Sequence, residues 1–206
     1  MLCSDWMLSV FYSIRWFGIG TRELRRLKMG RVVLVTGAAR SGKSEWAERL
    51  VRESGKSVVY VATAQRYPDD VEWDARIATH IQRRPANWRS LEVPIELAEA
   101  IDGAKAGEIL LVDSLGTWVG NLLDESEADW RLRCEALVRQ VRASNADIVF
   151  VAEETGWGVV PAYPVGRLFR DRLGRLVRVM GQVAGETFLV VAGFAVDLRR
   201  VGTAID

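Results

Sequence analysis

The sequence predicts an α/β fold: a mostly parallel sheet flanked by helices, with a C-terminal hairpin at the sheet edge. Two observations point there. From residue 31 onward, short apolar runs rich in β-branched residues alternate with segments of helical periodicity, the order that builds parallel sheets. These runs are continuously apolar rather than alternating, as strands buried on both faces require.

Each element has its own reason. Arg31 to Thr36 is a β-branched strand, and Ser44 to Val51 a helix with Trp46, Ala47, Leu50 and Val51 at helical spacing. Ser57 to Ala62 reads as the second strand, and Val71 to Arg84 as a helix closed by Pro85. Ser90 to Val93 is a short strand and Ile95 to Ile101 a helix. Glu108 to Asp113 carries the strongest buried-strand signal. Helical patterns run through Trp118–Leu123 and Ala128–Arg142, with an acidic loop between them. Asp147 to Ala152 is a strand, Gly156 to Pro161 a loop, and Pro164 to Val183 a long helix. Thr187–Val191 and Ala195–Leu198 form a hairpin around Gly193. No repeat or linker interrupts 29–206, which reads as one phosphate-loop transferase domain. Residues 1–28 read as an extension outside it: the apolar run from Leu8 to Ile19 is broken by Arg15, too short and too charged to span a bilayer.

The chemistry begins between the first strand and the first helix. Gly37-Ala38-Ala39-Arg40-Ser41-Gly42-Lys43-Ser44 fits the phosphate-loop pattern G-x-x-x-x-G-K-[ST]. Strand, glycine turn and helix is the order in which backbone N–H groups converge on a phosphate and the helix dipole adds positive potential. Lys43 is expected to reach the β- and γ-phosphates, and the Ser44 hydroxyl to ligate Mg²⁺. Asp113 ends a hydrophobic run, where a carboxylate holds the same metal; the plainer reading is an aspartate capping the next helix.

In open α/β sheets, ligands sit beyond the carboxyl ends of the strands. That rule collects the phosphate loop, Ala62-Thr63-Ala64, Asp113-Ser114 and Glu153-Glu154. His80 is the one histidine of the chain. Trp73, Ile77 and Ile81 form an expected buried stripe, and His80 falls about 60° from its centre, with Arg76 one turn earlier. A nearby cation disfavours imidazolium and keeps the ring nucleophilic, so a covalent phosphoryl or nucleotidyl intermediate is open to it; so is a bystander role. Arg167 and Asp171 are spaced for an i, i+4 ion pair or for phosphate gripping. Trp88 and Trp157, in loops, are candidates for stacking on a ligand.

Composition narrows the partners. A net charge of +1 over 206 residues offers no field for nucleic acid or an anionic membrane. Two cysteines, Cys3 and Cys134, lie far apart and make no disulfide framework, which suits a reducing cytoplasm.

The ordered motifs together resemble the bifunctional adenosylcobinamide kinase/adenosylcobinamide-phosphate guanylyltransferase family of cobalamin synthesis. Thr36–Ser44 resembles its TGGARSGKS, Tyr60–Ala64 its YIAT segment, and Arg76-Ile77-x-x-His80 with Arg83-Arg84-Pro85-x-x-Trp88 its RIxxH…RPxxW stretch. Asp113 with Asn121-Leu122-Leu123, Glu154-x-Gly156-x-Gly158-x-Val160-Pro161, and Arg167-x-Phe169-Arg170-Asp171 are similar to its later blocks. Glu153 stands where the family often has Asn.

The resemblance implies a RecA-like phosphate-loop fold and a homotrimer. It implies phosphorylation of adenosylcobinamide by ATP or GTP, then transfer of GMP from GTP through a guanylylated histidine. His80 matches that histidine and Lys43 the catalytic lysine. Residues 37–44, Ala62, Thr63, Ala64, Ile81, Gln82, Arg83, Arg84, Glu92 and Asp113 match its guanine-nucleotide contacts. The substrates so implied are a small-molecule corrinoid and nucleotides, with no nucleic acid and no membrane span. Two rivals remain: another phosphate-loop small-molecule kinase with His80 uninvolved, and a nucleotide switch or RecA-like DNA-binding ATPase. The absence of an N-K-x-D motif argues against the switch and the near-zero net charge against DNA.

Overall fold

The apolar runs assemble into one seven-stranded sheet. The computed structural model describes residues 30–66, 69–82 and 84–205, and of Trp73, Arg76, Thr79 and His80 the backbone alone. The expected extension 1–28 and the expected contact Arg83 lie outside the described residues. The strands are β1 (Val32–Gly37), β2 (Ser57–Ala62), β3 (Arg89–Glu92), β4 (Glu108–Asp113), β5 (Asp147–Glu153), β6 (Glu186–Val191) and β7 (Phe194–Asp197). The helices are α1 (Lys43–Glu53), α2 (Val71–Gln82), α3 (Leu97–Asp102), α4 (Leu115–Gly120), α5 (Glu127–Ala143), α6 (Pro164–Val183) and α7 (Leu198–Val201).

Strand order is β3-β2-β4-β5-β1-β6-β7, parallel except for the β6–β7 hairpin. The hairpin turns through Ala192 and Gly193, both at positive φ (50° and 81°), a conformation glycine adopts freely. β5 lies between β1 and β4, the arrangement of RecA-like phosphate-loop folds.

Alternation along the buried strands divides the core in two. Val33, Val35, Tyr60, Leu111, Val149 and Val151 pack with Ala47 and Val51 of α1 on one face. Leu34, Val61, Leu110, Val112, Ile148 and Phe150 pack with Leu115, Trp118, Leu137, Leu173 and Met180 on the other. Arg172, 2% exposed, is the most deeply buried charged residue among the described residues, ahead of Glu48 and Asp147. Its Nη1 donates to Leu122 O (2.8 Å) and its Nη2 to Glu125 O (2.7 Å), tying α6 to the turn after α4.

Four expectations change. The helix expected at Trp118–Leu123 is α4, which starts three residues earlier because Ser114 caps it: its Oγ accepts from Thr117 N and Thr117 Oγ1 from Ser114 N. Asp113 therefore does not cap that helix. Trp88 is 9% exposed and packed under Tyr60, because its backbone turns inward at the bond from Trp88 N to Pro85 O; it is a core residue and offers no ring to a ligand. Of the stripe expected on α2, Ile77 is half-buried and Ile81 39% exposed, so neither reaches the core. No described side chain of α2 is buried.

Candidate functional site

The carboxyl ends of β1, β5, β4 and β2 form one edge, and their register sets the site. Gly37 is paired with Glu153, and Asp113 with both Val151 and Ala62. β1 and β4 are two strand spacings apart and Gly37 stands two residues further along than Asp113, so the two lie about 12 Å from one another.

At the β1 end, Gly37 is held so closely that a Cβ there would lie 2.5 Å from Val190 O and 2.7 Å from Ser41 Oγ. Arg40 (φ 58°) and Gly42 (φ 92°) turn the chain, and Gly42 caps α1 without a side-chain bond of its own, leaving the first N–H groups of α1 to a ligand. The backbone of 37–44 thus forms an anion cradle at a helix N-terminus. Lys43 Nζ rests 3.4 Å from Ala38 O, a weak and exposed contact from which it swings out easily. Ser41 Oγ is buried and has no hydrogen-bond partner among the described residues.

At the β4 end, Tyr60 Oη donates to Asp113 Oδ2 at 2.9 Å, which leaves Oδ1. Burial, with the Asp113 carboxylate beside it, holds the Tyr60 phenol well above its ordinary value, so it stays a donor. Thr63 is fully buried. Its Oγ1 donates to Ser114 O (2.7 Å), accepts from Ser114 N (2.9 Å) and meets Thr117 Oγ1. The Thr63 hydroxyl is committed to joining two strand ends, and its backbone N–H is directed to Asp113 O at 3.4 Å. Asn121 Nδ2 ties Thr63 O (2.8 Å) to Pro94 O (2.9 Å). Between the two ends, Glu153 Oε1 accepts from Ser114 Oγ at 2.7 Å, while Oε2 is buried with no partner among the described residues.

Hard oxygen donors at this edge, Asp113 Oδ1 and the Ser44 hydroxyl at the start of α1, suit Mg²⁺. Among the described residues no three His, Cys, Asp or Glu side chains cluster as a metal cage. That donor set fits an ion bound jointly with nucleotide phosphates, as Mg²⁺ usually is.

Glu92, exposed at the end of β3, is paired with Ala62. Ile81 and Gln82 are exposed on the last turn of α2. Arg84 is turned inward, its guanidinium 3.6 Å from the centroid of the Tyr60 ring. Arg167 makes no pair with Asp171; it donates to Pro161 O (3.0 Å) and Ala162 O (2.6 Å), holding the loop after β5. Glu154 Oε1 accepts from Gly156 N at 2.6 Å and closes the turn that begins that loop. Trp157, on this loop, is 71% exposed.

Sequence reasoning missed the Tyr60–Asp113 bond and the Ser114–Thr117 cap. A polar-headed tyrosine inside a buried strand and the S-x-x-T spacing before an apolar helix were the available signals.

Residues 33–198 match the family model for cobinamide kinase/cobinamide phosphate guanyltransferase. The chain belongs to that family. Relatives in it include the "bifunctional adenosylcobalamin biosynthesis protein CobP" of Pseudomonas aeruginosa, 42% identical over 170 residues, covering 81% of this chain and 96% of that protein. The corresponding CobU of Escherichia coli is 35% identical over 183 residues, covering 82% of this chain and 99% of that one. The family resemblance expected from the motifs is thus borne out, and with it a place among transferases. In fold alone, the chain resembles a Pyrococcus horikoshii protein from Project ID PH0250 (TM-score 0.53, 10% identity, 87% of this chain and 89% of that one). Among the described residues no helix is long and apolar enough to cross a membrane.

Proposed function

We propose that this protein phosphorylates the aminopropanol hydroxyl of adenosylcobinamide with a nucleoside triphosphate, ATP or GTP. It then transfers GMP from GTP to adenosylcobinamide phosphate through a guanylylated His80. The observation that carries the reading is the meeting, at one edge of the sheet, of the phosphate loop at the end of β1 and the Asp113 carboxylate at the end of β4, with Arg84, just past the helix that bears residue 80, stacked on the tyrosine that bonds Asp113.

In the first reaction the substrate hydroxyl attacks the γ-phosphorus and the bond to the β-phosphate oxygen breaks. The N–H groups of 37–44 hold the phosphates, and Lys43 offsets the charge that develops on them. In the second, a neutral imidazole nitrogen of His80 attacks the α-phosphorus of GTP and pyrophosphate leaves. A phosphate oxygen of adenosylcobinamide phosphate then attacks the guanylyl phosphorus, the P–N bond breaks, and adenosylcobinamide-GDP forms with the imidazole restored. Asp113 and Ser44 would hold Mg²⁺, which when bound neutralises phosphate charge. Ala62, Thr63, Ala64, Glu92 and the last turn of α2 (Ile81, Gln82) would border the guanine nucleotide, as the family resemblance implies. Trp157 and Val159, the latter 94% exposed, offer apolar surface to a corrin ring. A cytoplasmic homotrimer is part of the same reading, and sedimentation equilibrium tests the assembly.

The decisive experiment is intact-mass analysis after incubation with Mg²⁺ and GTP. Wild type should gain one guanylyl group, labile to acid as a phosphoramidate is, and His80→Ala should gain none. A wild-type protein that forms adenosylcobinamide phosphate but never acquires GMP would leave a kinase alone.

A further inference from the structure

We infer that Tyr60 is a positioning residue for both reactions: its hydroxyl aims the Asp113 carboxylate, and its ring seats Arg84, which fastens the C-terminal end of the helix carrying residue 80. The inference rests on the function proposed above and adds to it a pair of residues with distinct tasks.

Tyr60 is 3% exposed in the middle of a parallel strand whose neighbours are Val58, Val59 and Val61. A phenol there costs more than valine unless its hydroxyl is bonded. The bond it makes is to Asp113 Oδ2, 2.9 Å away on the adjacent strand. One carboxylate oxygen is thereby fixed, and with it the orientation of the carboxylate that carries Oδ1. Partners that orient a ligating group in this way raise metal affinity without touching the metal.

The other face of the contact is Arg84. Its guanidinium lies over the Tyr60 ring at 3.6 Å, its Nε is buried without a partner among the described residues, and its Nη1 is 3.4 Å from Ser90 Oγ. A guanidinium stacked on a ring with its Nε buried is committed to the fold. Arg84 N closes the turn on Ile81 O at 3.1 Å, and Trp88 enters the core four residues later. So the exit of α2 is fastened under β2, whereas the described side chains of the helix are exposed or half-buried. Residue 80 lies on the last turn of α2, four positions before Arg84. An electrostatic and stacking contact thus links the metal-facing carboxylate to the helix end through a single side chain.

Two substitutions separate the tasks. Tyr60→Phe keeps the ring and deletes the hydroxyl. The Mg²⁺ concentration needed for half-maximal binding of a fluorescent non-hydrolysable GTP analogue should rise about tenfold, with metal-free binding and amide exchange in 71–82 as in wild type. Arg84→Met removes the stack. Amide exchange in 71–82 should quicken, and the rate of GMP uptake should fall about tenfold, with the Mg²⁺ dependence of analogue binding as in wild type. Thermal unfolding of each variant within a few degrees of wild type excludes a general loss of structure. A wild-type Mg²⁺ requirement in Tyr60→Phe, or wild-type exchange in Arg84→Met, overturns the inference. Both of these readouts are made without GMP transfer, so a wild type that acquires no GMP refutes the function reading while these measurements still judge Tyr60.

Discussion

Gly116 and Glu153 should be coupled, and the sign of Gly116→Ala reveals it. A Cβ on Gly116 would lie 1.8 Å from Glu153 Oε2 and 2.6 Å from its Cδ, so the carboxylate must leave its place. Leaving breaks the 2.7 Å bond from Ser114 Oγ, worth about 1.5–3 kcal/mol as a hydrogen bond to a charged group. Against that, alanine gains about 0.8–1 kcal/mol of helix propensity over glycine inside α4. The displaced carboxylate keeps its charge inside the fold and so its desolvation cost, and the balance is a net loss of about 1–2 kcal/mol. Glu153→Ala by itself also loses the Ser114 bond, but it removes the buried, unpartnered Oε2, whose desolvation costs on the order of 1–3 kcal/mol. That variant should sit within about 1 kcal/mol of wild type. In the Glu153→Ala background nothing obstructs the new methyl, so Gly116→Ala should stabilise by the propensity gain alone. The predicted coupling is therefore about 2–3 kcal/mol. Urea denaturation of the four proteins at one pH measures it, and thermal midpoints should move about 2–4 °C per kcal/mol. If Gly116→Ala stabilises wild type as much as it does the Glu153→Ala protein, the carboxylate has an equally good place elsewhere and the reasoning fails.

Gly37→Ala should abolish measurable binding of a fluorescent GTP analogue and destabilise the protein by about 2 kcal/mol or more, because the clash is with the backbone oxygen of Val190, which cannot step aside. Retained binding in calorimetry would show that the loop does not need its close approach to β6. The Glu108 carboxylate is held below its ordinary 4.5, chiefly by the N–H of Lys105 at 2.8 Å and then by Arg89 at 2.9 Å. Its contribution is complete above that ordinary value and disappears as pH falls through the lower folded value. The stability of wild type should thus fall between pH 5 and 3 more steeply than that of Glu108→Gln in urea titrations, and parallel slopes would refute this. Burial pushes the Cys134 thiol up to about 12, so at pH 8 the thiolate is scarce and shielded. The Cys134 peptide should be alkylated by iodoacetamide at least about a hundredfold more slowly in the native protein than in urea; labelling at the unfolded rate would contradict the burial.

Much of the fold was legible because parallel strands buried on both faces are written as unbroken apolar runs. Glu108–Asp113 and Ser57–Ala62 have the boundaries expected of them for that reason. The phosphate loop was legible because its geometry depends on glycines at fixed local spacing, and the strand-end residues because a rule of sheet topology needs only strand ends. The start of α4 was misjudged because Ser114 and Thr117 cap one another only once the chain has turned at the edge of β4. Trp88 was misjudged because burial of a loop tryptophan depends on the cluster that includes Tyr60, 28 positions away in the sequence. The Arg167–Asp171 pair failed to form because carbonyls of the preceding loop reach Arg167 first.

The sequence by itself determined the alternation of strands and helices, the phosphate cradle and the family. Those depend on local periodicity and on spacings short enough to be read along the chain. Which groups face one another across the strand ends was decided by the tertiary structure alone: Tyr60 with Asp113, Arg84 with Tyr60, Glu153 with Ser114 and Gly116. Such pairings depend on strand order and register, and long-range pairing carries no signature in the residues on either side of it.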